Sequence, residues 1–187
     1  LDLRIAAYLV AQACSGLHAA HGLKDGAGEP LDVVHRDATP QNLMVSSTGE
    51  LKIVDFGIVK AKNQLHEATQ TGELKGKISY LAPEQVRGKD VDRRTDVFTL
   101  GCVLYLATTG RGPFNGDAAG TTIMRIMAGE YAPPAAIVPT YPELLSRIVS
   151  SSNRTKAVRP KTASTAAPRS LPSRSASASA SRSSASI

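Results

Sequence analysis

Two stretches of the chain repeat their apolar residues at the spacing of an amphipathic helix. The first covers residues 3–21, and Gly22 follows it where a C-terminal cap belongs. The second covers residues 92–109, and Gly110 ends it. The predicted core positions are Ile5, Leu9, Ala13 and Leu17, with Ala6, Val10 and Ala20 beside them, in the first helix, and Val97, Leu100, Gly101, Leu104 and Ala107 in the second.

Between the two helices the apolar residues come in short runs instead. Residues 43–45 and 51–54 predict two strands, and the turn-forming composition of residues 46–50 joins them into a hairpin. Residues 23–32 are rich in Gly, Asp and Glu and predict a loop. Residues 58–81 are polar and predict a long loop, a class that usually carries function or motion.

The chain changes character near its end. Residues 121–128 and 142–149 carry weaker helical patterns, separated by prolines. Residues 150–187 consist mainly of Ser, Ala, Arg and Pro; 13 of these 38 residues are Ser and none is aromatic. Such a segment buries too little apolar surface to offset its ordering entropy. We therefore expect a folded domain over residues 1–149 and a disordered tail over residues 150–187.

The positive charge of the chain belongs to this tail. The formal net charge is +6, from 22 basic and 16 acidic residues. Seven basic and no acidic residues lie in 150–187, which leaves residues 1–149 with 15 basic and 16 acidic residues. Sparse charges without aromatic residues fit RNA or a membrane surface poorly, so we expect a solvated tail with no nucleic-acid partner. A shifted reading frame after Val149 would produce the same abrupt change.

Nothing in the sequence predicts passage through or into a membrane. No apolar run approaches the roughly 18 residues of a membrane span. No signal peptide is visible at Leu1, because Asp2 and Arg4 interrupt the start. Cys14 and Cys102 lie on predicted helices, where small buried residues in a reducing compartment are expected rather than a disulfide or metal site. The sequence therefore predicts a cytoplasmic chain.

Three polar motifs follow one another: His-Arg-Asp-Ala-Thr-Pro-Gln-Asn at 35–42, Asp-Phe-Gly at 55–57 and Ala-Pro-Glu at 82–84. The predicted hairpin places Asn42 before one strand and Asp55 after the other, so both lie at the same end of one ribbon. Together with Asp37 they can surround a metal-bound triphosphate. One carboxylate can take a hydroxyl proton, while the Asn and the other carboxylate hold Mg²⁺. Taken singly, each of these residues also fits an ordinary turn or cap.

In this order and spacing the motifs are the signature set of protein kinases. Over roughly residues 1–149 the chain resembles the C-terminal lobe of a bacterial Ser/Thr protein kinase of the eukaryotic-like type. The resemblance implies an α+β fold, mostly helical with a small β ribbon. It also implies ATP and Mg²⁺ as cofactors, and transfer of the γ-phosphoryl group to Ser or Thr hydroxyls of protein substrates. Asp37 then becomes the catalytic base, and Asn42 and Asp55 become the metal ligands.

The resemblance also implies supporting roles. The expected structural residues are His35, Phe56, Gly57, Glu84, Asp96 and Arg159. Asp96 is expected to hydrogen-bond the backbone of the catalytic loop, although any acid favoured in the first turn of a helix would look the same. Glu84 is expected to form a buried ion pair with Arg159.

Arg36 marks a kinase type that is often switched by phosphorylation. Its guanidinium, beside the catalytic Asp, can bind a phosphate on the activation loop through paired hydrogen bonds. Thr69 and Thr71 are the candidate acceptors, and Ser79 is a weaker one. Ordinary polar loop residues would look the same, so the sequence leaves both interpretations open.

Two positions depart from the family pattern. The Lys that commonly stands two residues after the catalytic Asp is Thr39 here, and the Thr that commonly follows the Gly before Ala-Pro-Glu is Lys77. Thr39 is a candidate for phosphate contact. The long side chain of Lys77 can bring the missing positive charge to Asp37 or to the phosphate from the other side. Without that compensation, Thr39 would indicate a pseudokinase or altered hydroxyl specificity.

The 187 residues contain neither the Gly-rich loop nor the strand Lys and helix Glu with which this family holds ATP. We therefore expect a kinase N-terminal lobe as a partner of this lobe, and little or no activity from the chain alone. The competing hypothesis is an inactive kinase fragment or pseudokinase that acts as an interaction module.

We expect removal of residues 164–187 to leave the Tm of the remaining chain unchanged, because this segment offers no apolar surface to a core. Calorimetric melting of the full and shortened chains measures the difference. A protease-resistant fragment that extends to Ile187 would contradict the expectation.

Overall fold

The computed structural model describes residues 1–56 and 74–153. The elements in chain order are α1 (Leu3–His21), β1 (Leu43–Val45), β2 (Leu51–Ile53), α2 (Leu74–Ile78), α3 (Pro83–Val86), α4 (Arg93–Thr109), α5 (Ala119–Ala128) and α6 (Glu143–Ser152). Short 3₁₀ turns cover Pro40–Asn42 and Pro134–Ala136. The predicted α+β class, mostly helical with one small ribbon, is confirmed.

Helix α1 occupies the predicted range, and its ends follow from its sequence. The Asp2 side chain accepts a hydrogen bond from the Arg4 N–H at 2.8 Å and caps the first turn. At the other end the Gly22 N–H donates to the carbonyls of His18 and Ala19. The buried residues of α1 are Ala6, Ala13, Leu17 and Ala20, and all four are among the predicted core positions. Ile5 is wrong as a core position, because it is 53% exposed.

Helix α4 is the central element, and it is buried on almost every side. Asp92 caps its start, and Gly110 ends it in the left-handed conformation with φ 79°. A β-carbon at Gly101 would collide with the Ser152 side chain on α6, so this glycine permits close helix packing. The sequence predicts one buried face for α4. The structure buries more of this helix, because α1 and α6 both pack against it. Val97 is wrong as a core position, being 49% exposed.

Three clusters of buried residues surround α4. Each cluster combines small with large side chains. The first joins α2, α3, α4 and α5 through Ile78, Ala82, Phe98, Cys102, Phe114 and Ile126. The second joins α1, the catalytic loop and α4 through Ala13, Leu17, Ala38 and Leu100. The third joins α4 and α6 through Leu104, Tyr105 and Val149.

The predicted hairpin is present. Strands β1 and β2 pair antiparallel, with Leu43 opposite Ile53 and Val45 opposite Leu51. The turn closes with a hydrogen bond from the Ser46 N–H to the Glu50 carbonyl at 2.9 Å. Because the strands are only three residues long, the ribbon depends on packing against α1 rather than on its own ladder.

The region predicted as one loop over 58–81 contains structure that the sequence did not reveal. Helix α2 lies within it, and Ile78 belongs to the first buried cluster. Helix α3 follows at once, with only four residues. Both helices are too short to show a helical apolar period, which explains why they were missed. In the loop predicted at 23–32, Lys24 and Pro30 form a single β-bridge.

The two cysteines differ in their surroundings. Cys102 is buried, as predicted, and burial raises the pKa of its thiol, which disfavours the reactive thiolate. Cys14 was predicted to be buried as well, and this is wrong: it is exposed on the outer side of α1. The small Cys14 side chain adds nothing to the apolar pattern of the sequence. The residues that α1 buries therefore decide which side of the helix it faces.

Helix α6 continues to Ser152, and Asn153 after it is buried. The predicted disordered tail therefore lies outside the described residues from position 154 onward. Within the ranges 1–56 and 74–153, no helix is long and apolar enough to cross a membrane.

Gln12 ties the hairpin to α1 through both ends of its amide. Its Nε2 donates to the Gly49 carbonyl at 3.0 Å, and its Oε1 accepts from the Leu51 N–H at 3.1 Å. We expect Gln12→Glu to lower the free energy of unfolding by about 1–3 kcal/mol, because the donor to Gly49 is lost and a carboxylate faces that carbonyl. Urea unfolding of the 187-residue chain measures the change.

Ser15→Ala on the exposed side of α1 serves as the control for this prediction, with an expected change within about 0.5 kcal/mol. Equal stabilities of the Gln12 and Ser15 variants would show that the amide contacts do not hold the hairpin.

Candidate active site

The loop that carries the His-Arg-Asp motif is held by one buried carboxylate. Asp96, in the first turn of α4, is fully buried. Its Oδ2 accepts from the His35 N–H at 2.9 Å, and its Oδ1 accepts from the Arg36 N–H at 2.8 Å. The His21 Nε2 at the end of α1 lies 2.7 Å from Oδ2. Asp96 therefore joins α1, α4 and the loop at a single point.

The His35 ring supports the loop from within. Its Nε2 donates to the Val54 carbonyl at 3.0 Å, and its Nδ1 accepts from the Asp37 N–H at 3.3 Å. This pair of contacts requires the neutral ring with its proton on Nε2. The ring also packs against Phe56, with centroids 4.5 Å apart. His35 thus connects the His-Arg-Asp motif to the end of β2 and to Phe56 of the Asp-Phe-Gly motif, which is a structural role.

Arg36 stands in an unusual backbone conformation between two anchors. Its φ is +70°, the left-handed region that non-glycine residues seldom adopt. Its N–H is held by Asp96, and its carbonyl accepts from the Gln85 Nε2 at 2.9 Å. Its Nε atom is buried and has no hydrogen-bond partner among the residues described. The proposed phosphate acceptors Thr69 and Thr71 lie outside those residues.

Of the three predicted oxygen-bearing side chains, those of Asn42 and Asp55 lie at the same end of the ribbon, and a hydrogen bond joins Asn42 to Asp37. The Asn42 Nδ2 donates to the Asp37 carbonyl at 2.7 Å, which directs the other amide atom, Oδ1, away as an acceptor. The Val54 N–H donates to the Asn42 carbonyl at 3.0 Å, so the start of β1 and the end of β2 lie side by side. Asp55 follows with a left-handed φ of 57° and an exposed side chain.

Lys77 and Thr39 lie in different environments. The Lys77 Nζ is 3.9 Å from the Asp37 Oδ2, and its side chain is half exposed. Thr39 is 3% exposed, and its hydroxyl donates to the Gln41 Oε1 at 3.1 Å. A phosphate contact by Thr39 would require that buried hydroxyl to leave its partner. Among the residues described, the basic side chain paired with Asp37 is that of Lys77.

The Ala-Pro-Glu motif is packed against the start of α4. The Glu84 Oε1 accepts from the Thr95 hydroxyl at 2.7 Å. The predicted ionic partner, Arg159, lies outside the described residues, and so does Gly57 of the second motif. Sequence reasoning missed two residues at this site, His21 and Gln85. His21 ends α1 and Gln85 directly follows the Ala-Pro-Glu motif, but neither position indicates by itself which partner the side chain contacts.

The donor set fits a magnesium ion that arrives with a nucleotide. Within 1–56 and 74–153, no group of three or more His, Cys, Asp or Glu side chains could hold a metal by itself. Mg²⁺ in phosphoryl-transfer sites keeps several waters and uses one or two carboxylates together with substrate phosphates. The exposed Asp55 and the Asn42 Oδ1, which makes no hydrogen bond among the described residues, lie at the same end of the ribbon and supply that kind of partial site.

The comparison with protein families agrees with this geometry. The sequence matches the family model described as the protein kinase domain over residues 2–163. The chain belongs to the protein kinase family. The resemblance to bacterial protein kinases of the eukaryotic-like type is thereby confirmed.

Curated relatives carry two kinds of kinase name. The tyrosine-protein kinase MasK of Myxococcus xanthus (strain DK1622) is 44% identical over 149 residues, which cover 80% of this chain and 23% of MasK. The serine/threonine-protein kinase PknB of Mycobacterium leprae (strain TN) is 40% identical over 127 residues, covering 68% of this chain and 19% of that protein. The chain spans about a fifth of the length of these relatives.

Proposed function

We propose that this chain carries the catalytic lobe of a protein Ser/Thr kinase that uses ATP and Mg²⁺. The observation that carries the proposal is the joint placement of Asp37, Asn42 and Asp55 at one end of the ribbon, beside a loop anchored by Asp96. We infer a cytoplasmic location for this lobe from its substrate, because ATP is held in that compartment.

The mechanism we propose is positioning plus electrostatic stabilisation. MgATP supplies the phosphoryl group and the metal. The Asn42 Oδ1 and the Asp55 carboxylate would hold the metal, and Asp37 would orient the substrate hydroxyl. As the new O–P bond forms and the bond to the bridging oxygen of ADP breaks, the hydroxyl proton passes to the Asp37 carboxylate.

The acceptor is the finer part of the proposal. PknB is named a serine/threonine kinase and MasK a tyrosine kinase, so the relatives' names point in two directions. We propose Ser and Thr hydroxyls, because Lys77 lies near Asp37 where it can supply the charge that the Ser/Thr pattern places on the loop. Phosphoamino-acid analysis of a labelled substrate decides between Ser/Thr and Tyr.

The chain needs a covering lobe for this activity. Its 187 residues hold no Gly-rich loop and no strand Lys, so nothing in them fixes the α- and β-phosphates. The test therefore has two arms: the 187-residue chain alone, and a chimaera in which the Gly-rich-loop and strand-Lys segment of MasK precedes Leu1. We expect negligible transfer from radiolabelled ATP to protein in the first arm and clear transfer in the second.

Asp37→Asn controls both arms of this assay. Loss of transfer in the Asp37→Asn chimaera supports the proposed base. A parent chimaera that folds and transfers no phosphate would contradict the proposed function. The chain would then be an inactive kinase or an interaction module, the alternative that the burial of Thr39 favours. Robust, Asp37-dependent transfer by the chain alone would contradict the need for the covering lobe.

We expect Lys77→Ala in the chimaera to lower kcat by about tenfold or more, because a cation directed at Asp37 and the phosphate is lost. Adding Thr39→Lys to this variant should recover part of the loss by returning a cation to the loop. Steady-state kinetics with a peptide substrate measure both effects.

Lys52→Ala is the matched control for the Lys77 prediction. Lys52 is exposed on β2, and its ion pair is with Glu50 on the same ribbon, at 3.9 Å. The control should leave kcat within about twofold, since exposed pairs contribute little. A Lys77→Ala variant with unchanged kcat would remove Lys77 from the proposed site.

A further inference from the structure

The peptide unit that precedes Asp37 is held at both of its polar atoms. Its oxygen, the Arg36 carbonyl, accepts from the Gln85 Nε2 at 2.9 Å. Its N–H, that of Asp37, donates to the His35 Nδ1 at 3.3 Å. A peptide is planar, so fixing both atoms fixes the plane and the position of the Asp37 Cα. Only rotation about the Asp37 N–Cα bond is then left to change the direction in which the side chain leaves the backbone.

We propose that Gln85 is a positioning residue that aims the Asp37 carboxylate by holding this peptide. The inference rests on the proposed function, in which Asp37 is the catalytic base. Gln85 acts through the backbone and touches neither the nucleotide nor the acceptor hydroxyl in this role.

The amide of Gln85 matches its surroundings at both ends. While Nε2 donates to Arg36, Oε1 accepts from the Ala82 N–H at 2.9 Å, at the start of α3. A carboxylate at this position could accept from Ala82 but could not donate to Arg36. One side chain therefore joins the end of the activation segment to the loop that carries the catalytic base.

The position of this anchor explains how a strained residue is maintained. A left-handed non-glycine residue costs about 1–3 kcal/mol and persists only where its surroundings over-determine it. Asp96 holds Arg36 by its N–H, and Gln85 holds it by its carbonyl. The hydrogen bond from Thr95 to Glu84, at 2.7 Å, ties α4 to α3, so the two anchors belong to one frame.

Gln85 couples α3 to the peptide before Asp37. A shift of α3 moves the Gln85 amide, and the peptide before Asp37 must then rotate or lose its partner. A displacement of α3 can in this way change the aim of Asp37 through Gln85 and the Arg36 carbonyl. The expected effect falls on the chemical step rather than on the binding of ATP.

The test is Gln85→Glu, which keeps the shape and the acceptor to Ala82 and removes the donor to Arg36. In the chimaera with the MasK segment we expect kcat to fall about tenfold to a hundredfold, since small errors in geometry are costly in catalysis. The KM for ATP should stay within twofold. Gln85→Met, of similar length and without an amide, provides a second variant if the first fails to fold.

A second readout needs no activity. In the 187-residue chain we expect amide hydrogen exchange at Asp37 to become about tenfold faster in Gln85→Glu. Exchange in the middle of α4, for example at Leu104, should be unchanged. This readout separates the two proposals: loss of the kinase function would leave the exchange result standing, and an unchanged exchange rate would overturn the role of Gln85 even in an active kinase.

Gln12→Glu is the matched control, because it makes the same substitution in a second two-ended amide. Gln12 holds the turn end of the ribbon, away from Asp37. It should reduce stability and leave kcat within twofold at a temperature where all variants are folded. An equal fall of kcat in Gln12→Glu, or a kcat within twofold of the parent in Gln85→Glu, would overturn the proposal.

Discussion

The buried carboxylate of Asp96 is the constraint on which the rest of this lobe depends. A buried charge is costly unless donors surround it, and here two backbone N–H groups and the His21 ring meet it. Those donors come from the loop and from the end of α1, while the carboxylate comes from α4. Satisfying this charge requires the three elements to meet at one point, and their meeting brings the His-Arg-Asp motif to the surface of the helical core.

Beyond Asp96, the neighbouring segments are held together by hydrogen bonds from side chains to backbone groups more than by pairs of charged side chains. His35 connects the loop to the Val54 carbonyl at the end of β2, and Asn42 connects it to the start of β1. Gln85 and Gln12 extend the same principle, each using both ends of one amide to join two segments. A neutral amide can do this at low desolvation cost, which suits partly buried positions between short elements.

In the proposed function, Lys77 supplies the cation that the family commonly carries at the position of Thr39. The loop position that commonly carries Lys in the family is buried here, and its Thr hydroxyl is used locally by Gln41. The cation lies instead after Gly76, on the segment that leads into α3, within 3.9 Å of Asp37. Because the frame fixes Asp37 through its backbone, the charge near it can come from either neighbouring segment.

The sequence by itself determined the kinase motifs, the two long helices with their glycine ends and the hairpin, because local periods and turn residues specify these elements. It did not determine which side of α4 was buried, or that Ile5, Cys14 and Val97 were exposed, since those outcomes depend on which neighbours pack against each helix. The short helices α2 and α3 were also beyond it, having too few residues for a period. Only the tertiary structure revealed His21 and Gln85, because a single polar side chain has no pattern until the fold brings its partner to it.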